Sequence, residues 1–206
     1  SYTYPIIVFF ITSTILSFFK KQNTEIKKSN RTINQVYANG GIALSICILN
    51  YFFSHSLMYP CFLASVAAAN SDTWGTEIGK KSIKKPIDII SGNTVSEGVS
   101  GGITLYGNIG SIIGSILIGI IGYYFLTDIK IILLIIISGF LSSIFDSILG
   151  SSVQARYISP GGLIITEKYK KSYYLYTGSK QVNNDMVNLC CTISGPFIFL
   201  IIHSII

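Results

Sequence analysis

Six apolar stretches occupy most of the chain, and they constrain its fold more than any other feature. They cover residues 4–19, 40–59, 60–69, 103–126, 129–145 and 187–206. Most approach the roughly 20 residues that a helix needs to cross a bilayer. Half of the residues are hydrophobic and only 12% are charged, which excludes an ordinary soluble domain. The sequence predicts an all-α fold, a polytopic membrane helix bundle with about six spans.

The third stretch, residues 60–69, is too short to cross a bilayer by itself. It can span only by continuing to Ile78, and this continuation carries Asp72 and Glu77 into the protein interior or a wet cavity. Gly75 stands between these two acids and offers a point where the helix can break. We therefore expect one short or broken helix near residues 60–79.

The chain is expected to form a single membrane domain over residues 1–206. Lys20 and Lys21 follow the first apolar stretch instead of preceding it, which is typical of a membrane anchor and not of a cleavable signal. Because the sequence begins at Ser1 without an initiator Met, we expect that some N-terminal sequence is missing.

Basic residues are distributed unevenly among the loops. Fourteen of the fifteen Lys and Arg residues follow the first, third and fifth stretches, and only Lys130 lies on the opposite side. Short cytoplasmic loops are rich in Lys and Arg, so the basic loops are predicted to be cytoplasmic. The resulting face suits phosphates or anionic head groups of the bilayer, and no nucleic-acid partner is expected.

Five polar segments fall at the predicted cytoplasmic ends of the spans. They cover residues 31–41, 69–79, 91–107, 145–157 and 181–188. The alternation of the spans brings these segments to one end of the bundle. Ionisable residues at membrane depth are costly and usually functional, which favours a single site there. Its acidic candidates for catalysis are Asp72, Glu77, Asp146 and Asp185.

Carboxylates accompanied by amide side chains are typical ligands of Mg²⁺, which binds through one or two carboxylates and through substrate phosphates. We predict Asp72, Asp146 and Asp185 as metal ligands, with Glu77 assisting. A glycine loop ahead of the fourth span offers backbone N–H groups for phosphate at Ser100, Gly101 and Gly102, although simple loop flexibility explains the glycines equally well. The remaining candidates for binding phosphate or orienting ligands are Arg31, Gln35, Asn39, Asn70, Gln154, Arg156, Asn184 and Asn188.

These segments also carry a family resemblance. In chain order they read RTINQVYANGG, AANSDTWGTEIGK, SGGITLYG, FDSILGSSVQARY and NNDMVN. In this order they resemble the transmembrane protein 19 family, which includes the plant phytyl-phosphate kinases. The resemblance implies Mg²⁺-dependent transfer of a phosphoryl group from a nucleoside triphosphate to an isoprenoid monophosphate. One departure is Ser96-Glu97-Gly98, where the family would have a Pro-Gly-Thr-like sequence before the glycine loop.

Three other interpretations stay open. A membrane transporter also places carboxylates within a bundle, although near the midplane of the membrane. A phosphotransferase acting on another lipid phosphate, such as a CDP-alcohol phosphotransferase, also uses aspartates and Mg²⁺, but the characteristic continuous aspartate motif of the CDP-alcohol enzymes is absent. Polar residues that only join helices explain the asparagines singly, but not four acidic residues at one depth.

The predicted topology is testable by cysteine labelling in a chain from which the four native cysteines have been removed. Cysteines placed at Lys27, Lys84 and Lys170 should resist an impermeant thiol reagent in intact cells, because Lys-rich short loops stay in the cytoplasm. A cysteine at Lys130 should react. All four should react after permeabilisation, and labelling of the first three in intact cells would invert the topology.

Overall fold

The computed structural model describes residues 2–18, 32–162, 165–167 and 169–206 of the chain. Within these residues the chain forms six helices and five short strands. The helices are α1 (Thr3–Phe18), α2 (Ile33–Phe53), α3 (Met58–Gly79), α4 (Leu105–Leu126), α5 (Ile129–Ser152) and α6 (Asn184–Ile205). The strands are β1 (Ile87–Asp88), β2 (Gly102–Ile103), β3 (Arg156–Ile158), β4 (Ile165–Thr166) and β5 (Tyr174–Thr177).

The helices confirm the predicted membrane bundle. Among the described residues, α2, α4, α5 and α6 are each long and apolar enough to cross a membrane. Helix α1 is apolar but has only 16 residues. Helix α3 has 22 residues and a more polar sequence. The chain is therefore a multi-pass helical membrane protein with four candidate spans.

Helix α3 lies at the centre of the bundle and packs against all five other helices. Its residues are buried continuously from Pro60 to Ser71. Most of these side chains are small, such as Ala67 and Ala68, which allows neighbouring helix backbones to approach closely. Because α3 is surrounded by protein, it does not need the apolar surface of a lipid-facing span.

The expectation of a short or broken helix near residues 60–79 is wrong. Helix α3 runs without interruption from Met58 to Gly79. Gly75 does not break it. Instead, Gly75 permits a close contact, because a Cβ atom at this position would lie 2.1 Å from Ser111 Oγ in α4. The continuation that a full span requires is therefore present, and it carries Asp72 towards the bundle interior.

Several small residues of α4 pack against α3. A Cβ atom on Gly114 would lie 2.9 Å from the Asn70 carbonyl oxygen. Two side chains of α3 reach across this contact: Asn70 Nδ2 donates to the Gly114 carbonyl at 2.7 Å, and Ser71 Oγ donates to the Ser111 carbonyl at 2.9 Å. Buried polar groups need such partners, so Asn70 joins two helices.

Five short strands lie in the loops at one end of the bundle, and the all-α prediction did not include them. In the connection between α3 and α4, β1 pairs with β2 antiparallel. In the connection between α5 and α6, the antiparallel strand order is β4-β3-β5. These pairings restrict the backbone conformation of both loops.

Replacing Gly75 with Ala should lower the free energy of unfolding by about 1–3 kcal/mol, because the new methyl group overpacks the contact between α3 and α4. Adding Ser111→Gly should recover part of this loss, because it removes the atom that lies 2.1 Å from the added Cβ. Thermal unfolding of the detergent-solubilised protein measures both effects. Gly40→Ala is a matched control, since nothing lies within 4 Å of its added Cβ. Identical unfolding of Gly75→Ala and wild type would contradict the close helix contact.

Candidate functional site

A cavity of about 670 Å³ opens at the end of the bundle where the predicted polar segments meet. The ends of α3 and α5 and the starts of α2, α4 and α6 all contribute to its wall, together with α1. The glycine loop at residues 98–102 and the loops around β3 and β4 complete the wall. Described parts of all five polar segments therefore share one cavity.

Most of the predicted site residues line this cavity. They are Gln35, Asn39, Asp72, Glu77, Ser100, Gly101, Gly102, Asp146, Gln154, Asn184, Asp185 and Asn188. Asn70 and Arg156 do not line it. Arg31 lies outside the described residues.

Asp72 of α3 and Asp146 of α5 form a pair in the cavity wall. Their side chains lie within hydrogen-bonding range of each other. Asp146 is only 9% exposed, and its Oδ1 atom has no hydrogen-bond partner among the described residues. Two carboxylates in contact repel each other unless they share a proton or a cation. The pair therefore offers two oxygen ligands to a hard cation such as Mg²⁺.

Asp185 lines the same cavity from the first turn of α6. Over the described parts of the chain, no group of three or more His, Cys, Asp or Glu side chains is arranged to hold a metal ion. Asp185 therefore does not complete a cluster with Asp72 and Asp146 in this arrangement. Mg²⁺ nevertheless needs only one or two carboxylates where substrate phosphates supply further ligands, so the paired acids suffice for that type of site.

The cavity wall is acidic, although the chain as a whole has a net charge of +6. Its described lining carries six carboxylates and two lysines: Asp72, Glu77, Glu97, Asp146, Glu167 and Asp185, with Lys80 and Lys180. One lysine is already paired, because Lys80 Nζ lies 2.8 Å from Glu77 Oε1. An anionic ligand would meet net repulsion here unless a cation accompanied it.

The glycine loop is pressed against the end of α5. Gly98 and Gly101 adopt positive φ angles of 79° and 80°, a conformation that favours glycine. A Cβ atom on Gly101 would lie 2.6 Å from the Ser151 backbone nitrogen, and one on Gly150 would lie 2.8 Å from Ser100 Cβ. These glycines fix the loop close to the helix turn that follows Asp146.

A buried ion pair holds the backbone of the glycine loop in place. Arg156 Nη2 lies 2.9 Å from Asp88 Oδ2, and the two residues are 5% and 3% exposed. The same guanidinium group also donates a hydrogen bond to the Ser100 carbonyl. Arg156 was predicted to clamp phosphate, but in this structure its contacts go to Asp88 and to the loop backbone.

Asp88 was not among the predicted site residues. Its carboxylate accepts hydrogen bonds from the Ile90 and Ser91 backbone N–H groups and from the Ser91 and Ser151 hydroxyls. Burial raises the pKa of Asp88, but the bonds from Ser91, Ser151 and Arg156 outweigh this effect and hold the pKa well below its usual value. One local pattern could have identified Asp88: it stands two residues before Ile90, whose backbone N–H it binds, and this spacing is typical of an Asx turn.

Glu167, after β4, was also missed. It lines the cavity, and one of its carboxylate oxygens accepts a hydrogen bond from the Ser100 backbone N–H. The residue stands next to a run of lysines and tyrosines that reads as a solvated charged segment. Its contact joins positions 67 residues apart, so no local spacing could identify it.

Asp88→Asn should lower the free energy of unfolding by about 3–5 kcal/mol at neutral pH, because Arg156 then stays buried without a counter-charge. The pKa of Asp88 is lower in the folded chain than its unfolded value of about 3.9. The stabilisation is therefore fully present above about pH 4 and declines as the pH falls below that value towards the folded pKa. Thermal unfolding of both proteins between pH 7 and pH 3 measures this effect.

The exposed Glu97 provides a matched control for this experiment. Glu97→Gln removes one carboxylate without breaking a buried ion pair, so it should change stability by less than about 0.5 kcal/mol. The difference between wild type and Asp88→Asn should shrink at the acid end of the range. A difference that is constant from neutral pH to pH 3 would contradict a stabilising, ionised Asp88.

Comparison with known proteins agrees with a multi-pass membrane chain. The family model described as "Integral membrane protein DUF92" matches residues 1–196. An uncharacterized membrane protein of Methanocaldococcus jannaschii is 31% identical to this chain, and the match covers 98% of this chain and 76% of that relative. No solved structure matches. The chain therefore belongs to the integral membrane protein family DUF92.

Proposed function

We propose that this chain is a membrane-embedded kinase, which transfers a phosphoryl group from a nucleoside triphosphate to an isoprenoid monophosphate of the phytyl or geranylgeranyl type. One observation carries the proposal: a single cavity at one end of a membrane bundle combines the paired acids Asp72 and Asp146 with a glycine loop. The substrate class comes from the resemblance of the chain's motifs to the transmembrane protein 19 family and its plant phytyl-phosphate kinases.

The acidic cavity suits substrates that arrive with a divalent cation. Asp72 and Asp146 would hold Mg²⁺, and Oδ1 of Asp146, which has no hydrogen-bond partner in the described part of the chain, is available to it. When bound, Mg²⁺ would neutralise negative charge on the phosphoryl group that is transferred. Without a cation, six carboxylates in the wall would repel both a nucleoside triphosphate and a prenyl phosphate.

The protein's own task in this reaction is to position two anionic substrates. A prenyl monophosphate is already ionised near neutral pH, so its attacking oxygen needs no strong general base. Catalysis then depends on holding the attacking oxygen in line with the γ-phosphoryl group. The glycine loop and the amide side chains of Gln154, Asn184 and Asn188 line the cavity and can orient phosphate oxygens.

The position of the cavity favours an enzyme over a transporter. Transporter sites are expected near the bilayer midplane, whereas this cavity is built from helix ends and the loops that join them. An isoprenoid phosphate matches such a place, because its phosphate can enter the polar cavity while its tail lies among the helices. A phosphotransferase acting on another lipid phosphate would use the same arrangement with a different alcohol.

Purified protein with Mg²⁺, a nucleoside triphosphate and labelled phytyl or geranylgeranyl monophosphate should form the corresponding diphosphate. Asp72→Asn, Asp146→Asn and Asp185→Asn should each lower turnover. The first two should lower it by at least about 100-fold, since they remove ligands of the Mg²⁺ that would neutralise charge on the transferred group. All three variants should stay inserted and folded, because none of these acids forms a salt bridge with a described basic residue, and neutralising it lowers the cost of its burial.

Asp128→Asn supplies the matched control at the opposite end of the bundle. Asp128 caps the start of α5 by accepting from the Lys130 backbone N–H at 2.9 Å, and Asn is an equally good capping residue. This variant should keep wild-type turnover. Undiminished kinase activity in Asp72→Asn and Asp146→Asn would remove the support for the paired site. A folded wild type that phosphorylates no prenyl phosphate with any nucleotide would reject the kinase.

A further inference from the structure

The glycine loop already holds an anionic group in this structure. A carboxylate oxygen of Glu167 accepts the hydrogen bond of the Ser100 backbone N–H. The loop is held rigidly at this point, since Arg156 binds the carbonyl of the same residue. A carboxylate oxygen and a phosphate oxygen are chemically similar acceptors of a backbone N–H. Glu167 therefore marks the place where the loop accepts an anion.

A second, independent feature of the same cavity points to a ligand. The Gln154 side chain is only 1% exposed, and neither its Nε2 nor its Oε1 atom has a hydrogen-bond partner among the described residues. Gln154 nevertheless lines the cavity. An unsatisfied buried amide is destabilising, so a ligand that binds its N–H group would recover part of this free energy.

We propose that Glu167 is a displaceable occupant of the phosphate position on the glycine loop. This inference rests on the proposed kinase function and assigns the position to the monophosphate group of the isoprenoid substrate. On binding, a phosphate oxygen takes the Ser100 N–H in place of Glu167, and a second oxygen accepts from Gln154 Nε2. Glu167 is a specificity-determining residue, because only a group that replaces its hydrogen bond can occupy the loop.

The exchange is favoured by hydrogen bonding. A phosphate monoester presents three acceptor oxygens, so one phosphate group has enough acceptors for both Ser100 and Gln154. Before the exchange, Glu167 occupies the loop, and phosphate binds only those molecules in which the loop is free. The apparent affinity for phosphate is therefore lower than the affinity of the free loop.

Binding of inorganic phosphate to the full chain in detergent with Mg²⁺ present, measured by titration calorimetry, tests this inference without nucleotide or lipid substrate. Glu167→Ala should bind phosphate about tenfold more tightly than wild type, because the competing acceptor is gone. Gln154→Leu, added to Glu167→Ala, should abolish this gain. Thermal unfolding of each variant shows whether it remains folded.

Glu97→Ala is the matched control for charge, because Glu97 lines the same cavity without binding the Ser100 N–H. A gain in phosphate affinity that is clearly larger for Glu167→Ala than for Glu97→Ala supports the displacement of Glu167 by phosphate. Equal gains, or no gain in a folded Glu167→Ala protein, would overturn the inference while leaving kinase activity to be judged by its own assay. A phosphate gain in a protein without transferase activity would keep the anion position and discard the kinase.

Discussion

The rest of the structure depends on a polar helix, α3, that is enclosed by the other helices. A charged side chain facing lipid would be costly, but α3 packs against all five neighbours and its middle is fully buried. Small side chains make this enclosure possible, since they let the neighbouring backbones come close. The same helix can therefore carry Asp72 inward to meet Asp146. Packing of small residues thus creates the environment in which two acids share a cavity.

The contact between α3 and α4 also determines where the glycine loop lies. The end of α3 meets the start of α4, because a Cβ atom on Gly79 would lie 3.3 Å from Thr104 Oγ1. Thr104 caps α4 by accepting from the Gly107 backbone N–H at 2.9 Å. The loop that precedes Thr104 is thereby held by α4 on one side and by α5 at Gly150 on the other. The contact between α3 and α4 therefore helps to fix the position of the glycine loop at the end of the bundle.

Much of the fold follows from the sequence, because hydrophobic stretches report directly on membrane helices. The boundaries of α2 differ, however: it starts at Ile33 because Thr32 and Gln35 form a capping box, and it ends where Ser54 adopts a positive φ. The convergence of the polar segments was also predictable from their alternation. Asp88 and Glu167 were not, because their partners Arg156 and Ser100 are 68 and 67 residues away, and no local pattern encodes such a contact.

The end of α5 and the residues after it connect the two parts of the candidate site. Asp146 supplies one acid of the pair, and Gly150 and Ser151 contact the glycine loop. Gln154 presents an amide that has no hydrogen-bond partner among the residues that the structure describes, and Arg156 binds the Ser100 carbonyl. All of these groups lie within one short segment of chain, so the distance between the paired acids and the loop is set by that segment. The proposed phosphoryl transfer would require a fixed distance between the cation and the phosphate, and a single helix end is a simple way to provide it.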